Sequence, residues 1–292
     1  MRGISIAPIA VTLILGSAQS LLAAEQYICA TNASGEITNS SWGPVSPGVG
    51  DCSYEALGVK LEMFDSGYCT SEPSATDTSM CSFWDLEGNP AVVEITKNGI
   101  SNLIPQKQIP PGTYTHSVVY MTNRAIVRAS LKFANSRTGR TGSGRYCWTV
   151  SGNWVNSNDA SYPRSSYTAE CGSSPPSSSE IEYTNYIYDR LGVGLFSATS
   201  VDIYSGRVKK HHLLDKEFNP ITSELADGIL MTIEEFVEPI VFKEGYQTII
   251  DIDYPISTQG VHVNSNNYPT IKKFLTADAD TVVRYGLVKI DD

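Results

Sequence analysis

From Val59 to Phe64 the sequence VKLEMF sets Val59, Leu61 and Met63 on one side of an extended chain and Lys60, Glu62 and Phe64 on the other. Successive side chains of a strand point to opposite faces, so this period of two predicts a half-buried strand entered from the break at Gly58. In AVVEITKNGISNLI, Asn98-Gly99 separates two apolar runs. That dipeptide takes the positive φ angles of a type I′ turn and predicts a hairpin. Pro110, Pro111 and Gly112 then make a stiff turn, after which Tyr114, His116, Val118 and Tyr120 alternate with Thr115, Ser117, Val119 and Met121. The following AIVRASLKF is the cleanest alternation, with Ala125, Val127, Ala129, Leu131 and Phe133 toward a core. It predicts a strand that neighbours the one before it.

A Gly-rich stretch, RTGRTGSGR, reads as a hairpin tip, and in YCWTV the residues Tyr146, Trp148 and Val150 alternate with Cys147 and Thr149. Further on, IEYTNYIYDRLG, LFSATSVDIYSGRVKKHHLLD and YQTIIDIDYPI are rich in Tyr, Thr, Ile and Val and predict strands. SELADGILMTIEEFVEPIVF fits both a helical stripe (Leu225, Ile229, Ile233, Phe236) and a strand (Ile229, Met231, Ile233). Gly228 and Pro239 restrict a helix, so strand is the expectation. The Ser/Pro segment 173–180 is the best candidate boundary, dividing a cysteine-bearing β region, 25–172, from a C-terminal β region, 181–292, that forms the same sandwich or a second one. No repeat of solenoid or propeller length is visible.

The first 24 residues carry one positive charge at Arg2, an apolar run from Ile4 to about Gly16, and small residues at Ala23 and Ala24. That order is a secretory signal peptide, with the mature chain starting near Glu25. The run is too short and too broken by Pro8 to favour a membrane span, Cys29 lacks the small residue that precedes a lipidated cysteine, and Pro8 stands where a pilin-type leader carries Glu. The expected location is secreted, extracellular or at the cell surface, with the periplasm as an alternative. The formal net charge of −10 opposes nucleic acid and anionic lipid, so no nucleic-acid partner and no membrane insertion after signal removal are expected.

Six cysteines behind a signal peptide read as three disulfides. Sequence alone leaves the pairing open, and nearest neighbours are the expected partners: Cys29 with Cys52, Cys69 with Cys81, and Cys147 with Cys171. No C-x-x-C or H-x-H spacing supports a metal, and no cofactor motif is present.

Little else points to catalysis. His211 and His212 are adjacent and so fall on opposite faces of a strand, while His116 is a lone histidine. No G-x-S-x-G or phosphate loop occurs. Asp251 with Asp253, and Asp278 with Asp280, are spaced for calcium or for one half of a glycosidase pair, yet alternating Asp is also the ordinary solvated face of a strand. The remaining route is aromatic. Trp42, Trp84, Trp148 and Trp154 fall near loops or strand ends and are candidate binding residues for a sugar or a protein, although sandwich cores use the same side chains. Asn32 and Asn39 open sequons that a eukaryote would glycosylate.

YEALGVKLEMF, the Cys-bounded loop CTSEPSATDTSMC, AVVEIT and PPGTYTHSVVYM together resemble an uncharacterised family of secreted bacterial β-sandwich proteins in which such a turn starts a core strand. VEPIVFKEGYQTIIDIDY resembles the strand-turn-strand that closes those domains. The resemblance implies a fold and a compartment and carries no catalytic residues. The expected fold is an all-β, Ig-like or transthyretin-like antiparallel sandwich stapled by disulfides, as one elaborated domain or two packed halves. The expected role is non-catalytic, as a structural or adhesive protein contacting a protein or a glycan, with self-association open to it. A soluble carbohydrate-binding module is the alternative, and a glycoside-directed enzyme using Asp251 or Asp253 stands below both.

Overall fold

The computed structural model describes residues 28–38, 43–46, 49–88, 90–101, 106–155, 167–187, 208–221, 228–253, 261–264, 271, 275–276 and 282–289. Residues 1–24 lie outside these, as do Asn39, Trp42, Asp278 and Asp280. The described chain is all-β and contains no helix. Its strands are β1 (Gly43–Ser46), β2 (Val49–Tyr54), β3 (Gly58–Cys69), β4 (Cys81–Phe83), β5 (Ala91–Thr96), β6 (Gly99–Ser101), β7 (Gly112–Thr122), β8 (Arg124–Arg128), β9 (Ser130–Thr138) and β10 (Ser143–Thr149). They continue with β11 (Asn153–Val155), β12 (Ala169–Gly172), β13 (Thr184–Ile187), β14 (Val208–Leu214), β15 (Ile229–Phe242), β16 (Tyr246–Asp253), β17 (Val261–Asn264), β18 (Leu275–Thr276) and β19 (Val282–Lys289).

β3 organises the main, ten-stranded sheet. One of its edges is taken end to end by β5 and β4, the other by β8 and β7. β7 and β8 are therefore consecutive along one edge of β3 and do not lie side by side as the alternation suggested. Only Asn123 separates them, too little chain for a reversal. β15 and β13 extend the sheet beyond β7 and β8, and β14 and β11 close its far side. The β11–β13 ladder is parallel and the other ladders are antiparallel. The ambiguous segment is strand β15, with Ile229, Met231 and Ile233 buried in alternation.

The run AIVRASLKF is not one strand. It breaks at Ala129 and changes sheet: β8 belongs to the main sheet, while β9 pairs with β10 in a three-stranded sheet completed by β12. Ala129 keeps its backbone groups satisfied during the crossing, its N–H donating to Thr149 Oγ1 at 3.1 Å and its carbonyl accepting from Thr149 N at 3.0 Å. Val127, Ala129, Leu131 and Phe133 stay buried on both sides of the break, so one alternating stripe serves two layers.

The principal core lies between these layers. Val59, Met63, Tyr68, Val93, Ile95 and Val127 from the main sheet meet Leu131, Phe133, Cys147, Ala169 and Cys171 from the small one, with Cys52, Val261 and Val263 of the β1-β2-β17-β18 sheet beside them. A second cluster, Cys69, Val118, Leu214, Ile229, Met231 and Ile233, sits on the other face of the main sheet, with Ala75, Met80 and Phe83 packed against it. Tyr114 departs from the expected face. It joins the principal core, its ring 6.2 Å from Tyr68 and 5.4 Å from Phe242, while Val118 and Tyr120 belong with the second cluster. A register shift in β15 between Glu235 and Ile240 lies opposite this point.

The disulfides are Cys29–Cys52, Cys69–Cys81 and Cys147–Cys171, and among the described residues no cysteine is free. Such bonds form and persist in an oxidising compartment, extracellular or periplasmic. Strands on either side of the Ser/Pro loop 173–180 share the main sheet, since β13 pairs with β8. The hairpin between β5 and β6 forms, but Lys97 and Asn98 make its turn and only Gly99 takes positive φ, so it is not type I′. β16 follows β15 after a short turn yet pairs with β19.

Phe133 is fully buried. Phe133→Ala should lower unfolding free energy by about 3–5 kcal/mol, read as a drop in the urea midpoint. Val92→Ala, at a position 43% exposed, should stay within about 0.5 kcal/mol.

Candidate binding surface on the outer face of the main sheet

The face of β3 turned away from the principal core carries Lys60, Glu62 and Phe64. Register places Glu94 across from Lys60 and Val92 across from Glu62 on β5, and Ile126 across from Lys60 on β8. Arg124 and Arg128 flank Ile126 on the same side. Glu62 accepts a hydrogen bond from Thr122 Oγ1 at 3.0 Å and lies 3.6 Å from Arg124 Nε. These charges lie side by side and half-buried on a broad sheet surface.

Tyr183 closes one end. Its hydroxyl lies against Gly58, where a Cβ would meet it at 2.5 Å and push the phenol aside. Lys60 Nζ stands 4.1 Å and Arg128 Cζ 5.0 Å from the ring centroid, both within cation–π range. The hydroxyl donates to Glu94 Oε1. Burial and this carboxylate push the Tyr183 phenol up to about 12. Beyond Ile126 the face continues through Asn185, whose Nδ2 donates to Asn153 Oδ1 at 2.7 Å.

The other end is aromatic. Phe218 is 42% exposed and packs edge-on against Phe64 at 5.7 Å and Tyr120 at 5.5 Å. It holds φ of +65°, a conformation that bulky side chains rarely adopt. Asp215 fixes the turn: Oδ1 accepts from Glu217 N at 2.9 Å and Asn219 N at 2.8 Å, and Phe218 N donates to the Asp215 carbonyl. The backbone bond from Asn219 holds the Asp215 carboxyl below its ordinary value. Asp65, beside Tyr120, moves the other way because burial outweighs the N–H bonds it accepts from Ser66 and Asp85. Lys60, Glu62 and Phe64 lead in a strip along β3 from the ring of Tyr183 to that of Phe218, and Val92, 43% exposed, stands across from Glu62.

The tryptophans lie elsewhere. Trp84 is a core residue, 9% exposed and 5.6 Å from Tyr68, which removes it from the exposed binding set. Trp148 is half-buried on the small sheet and rests over Gly172. Trp154 is in β11, with its side chain outside the described residues, as are those of Asp251 and Asp253 in β16; the backbone register sets Asp251 opposite Arg284. Phe218 and Tyr183 escaped the sequence reading. The available signal for Phe218 was a single aromatic inside the polar run DKEFN.

Outside the strip, perturbed carboxylates close turns and ion pairs. Glu36 accepts from Asn32 Nδ2 at 2.9 Å and pairs with Lys132 at 3.0 Å and with Arg145, and these partners hold its pKa low. Asn32 also accepts from Ser34 N and Glu36 N, so this sequon is built into the fold. Glu170 gathers Thr141 N, Thr141 Oγ1, Gly142 N and Cys171 N. Burial works to raise its pKa, but these hydrogen bonds prevail and lower it. Of the Gly-rich arginines, Arg137 is buried over Phe133, Arg140 approaches Glu170 at 4.0 Å, and Arg145 serves Glu36. Among the described residues no three His, Cys, Asp or Glu side chains gather as a metal site.

No protein-family profile, curated protein or solved structure matches the chain. The likeness to secreted bacterial sandwiches rests on the sequence stretches alone.

His211 and His212 fall on opposite faces, across from Thr232 and Met231 respectively. His211 Nδ1 lies 3.0 Å from Thr232 Oγ1. Burial, helped by the charge of His212, lowers the His211 pKa to about 4 from 6.5. Its neutral ring therefore favours the folded state near pH 7. That stability is lost as pH falls from about 6.5 toward 4, because the unfolded chain takes up a proton the folded chain refuses, a loss of order 2–3 kcal/mol. Urea midpoints between pH 7 and pH 4 should fall less steeply for His211→Gln than for the unaltered chain.

Proposed function

We propose that this chain is a secreted or cell-surface, non-catalytic structural or adhesive protein that contacts a protein or a glycan through the outer face of its main sheet. The observation that carries the reading is Phe218. A bulky aromatic sits in a left-handed backbone conformation, which costs of order 1–3 kcal/mol, and the turn that enforces it leaves the ring 42% exposed above Phe64 and Tyr120. A protein that maintains strain to expose an aromatic has a use for that surface. The engagement of Glu36, Glu170 and Asp215 in turns and ion pairs supports a binding role over acid–base chemistry, because their lone pairs already hold the fold. Disulfides and a leader-like N-terminal sequence agree with export.

The full chain, presented to arrays of extracellular proteins and glycans, should bind a defined subset without altering it. Phe218→Asn is the informative variant, since Asn tolerates positive φ. It should leave the melting temperature unchanged or slightly higher while weakening binding at least roughly tenfold. Turnover of a bound glycan that Asp253→Asn abolishes would contradict the reading, as would binding that ignores Phe218→Asn.

A further inference from the structure

We infer that the Tyr183 end of this face seats the acid group of an anionic glycan, a sugar unit carrying a carboxylate or a sulfate. The inference rests on the reading above and deepens it. Lys60 and Arg128 both stack on one phenol ring, at 4.1 and 5.0 Å from its centroid. Stacking fixes a cation's position without cancelling its charge. The ion pairs formed among the described residues engage Lys107, Arg124, Lys132, Arg140 and Arg145, and neither Lys60 nor Arg128. Glu94, which register sets across from Lys60, instead takes the hydrogen bond from the Tyr183 hydroxyl. Arg128 Nε is buried with no hydrogen-bond partner among the described residues. A chain of net charge −10 thus holds two cations in place on one ring with no carboxylate among the described residues ion-paired to either.

The surroundings select the rest of the ligand. Asn185 and the exposed Asn153 form an amide pair one step beyond Ile126, offering donors and acceptors suited to hydroxyl groups. Val92, toward the other side of β3, supplies exposed apolar area. An oligosaccharide with an acid-bearing unit meets all three requirements: the acid meets the cations, the hydroxyls of a unit on one side meet the amides, and the C–H face of a unit on the other side meets the apolar surface, the sites being spread over neighbouring strands about 4.8 Å apart. An acidic peptide would satisfy the cations and leave the amide pair without a role.

The test is calorimetric binding of the full chain to a uronic-acid or sulfated oligosaccharide and to its carboxyl-reduced or desulfated counterpart. Charge-assisted hydrogen bonds predict at least roughly tenfold tighter binding of the acidic form, with affinity falling as salt rises. Lys60→Gln with Arg128→Gln should erase the preference with at most a small drop in melting temperature from the lost ring contacts. Arg128→Gln alone should reduce it, and Arg128→Lys should keep most of it. Equal affinity for acidic and neutral forms overturns the inference, as does an acid preference that survives the double variant, preferential capture of an acidic peptide, or no binding of either sugar. Neutral-glycan or protein binding that is lost in Phe218→Asn would overturn the acidic-glycan inference alone and leave the broader reading standing.

Discussion

One extra residue in β3 governs much of this structure. Between Met63, opposite Met121, and Asp65, opposite Tyr120, the ladder accommodates Phe64 as a bulge. A strand has a side-chain period of two, so a single inserted residue exchanges its faces. Val59, Leu61 and Met63 point into the principal core before the bulge, and Ser66 and Tyr68 do so after it. Phe64 and Asp65 both fall on the outer side. Without the bulge, Tyr68 would turn away from Trp84, Tyr114, Phe236 and Phe242, the four rings it contacts at 5.4 to 6.2 Å. Cys69 would likewise leave the second cluster on the outer face.

The remaining layers are secured to that frame. The crossover at Ala129 carries the apolar stripe of β8 into the small sheet. Cys147–Cys171 joins β10 to β12 at directly paired positions, and Cys69–Cys81 does the same for β3 and β4. Residues 28–38 reach the small sheet through Ile37, whose N–H donates to the Lys132 carbonyl, and through Glu36 on Lys132 and Arg145. Cys29–Cys52 ties that segment to β2. A disulfide closing a loop of this size contributes about 3 kcal/mol by limiting the unfolded chain.

Much of this was legible in the sequence, for physical reasons. Period-two alternation marked Val59, Met63, Val127, Leu131 and Phe133 as inward because burial of one sheet face writes itself into residue order. Nearest-neighbour spacing of the cysteines anticipated the three bonds, since short connections bring such residues together in a meandering sheet. What alternation cannot encode is where a strand bulges or changes layer. Ala129 looks like any other inward residue, and nothing in EMFDS announces the extra residue at Phe64. The proposed binding surface was hidden for a related reason. Tyr183 and Lys60 are far apart in the chain and meet only through strand register, and the exposure of Phe218 comes from a turn set by Asp215 and Asn219. The tryptophans fall near loops or strand ends and offer flat apolar area, yet the same side chains fill cores, as Trp84 does.

The outer face joins these threads, because alternation along β3 sets Phe64 in line with Lys60 and Glu62 and under the exposed ring of Phe218, and the bulge keeps Asp65 on the same side. Its assignment as the contact surface is tested most directly by hydroxyl-radical footprinting of the full chain, alone and saturated with the tightest-binding array member. The account predicts protection at Val92, Tyr183 and Phe218, with Trp148 and Tyr146 on the small sheet unchanged. Protection of Trp148 and Tyr146 with those three side chains unaffected would contradict it and move the contact surface to the other layer.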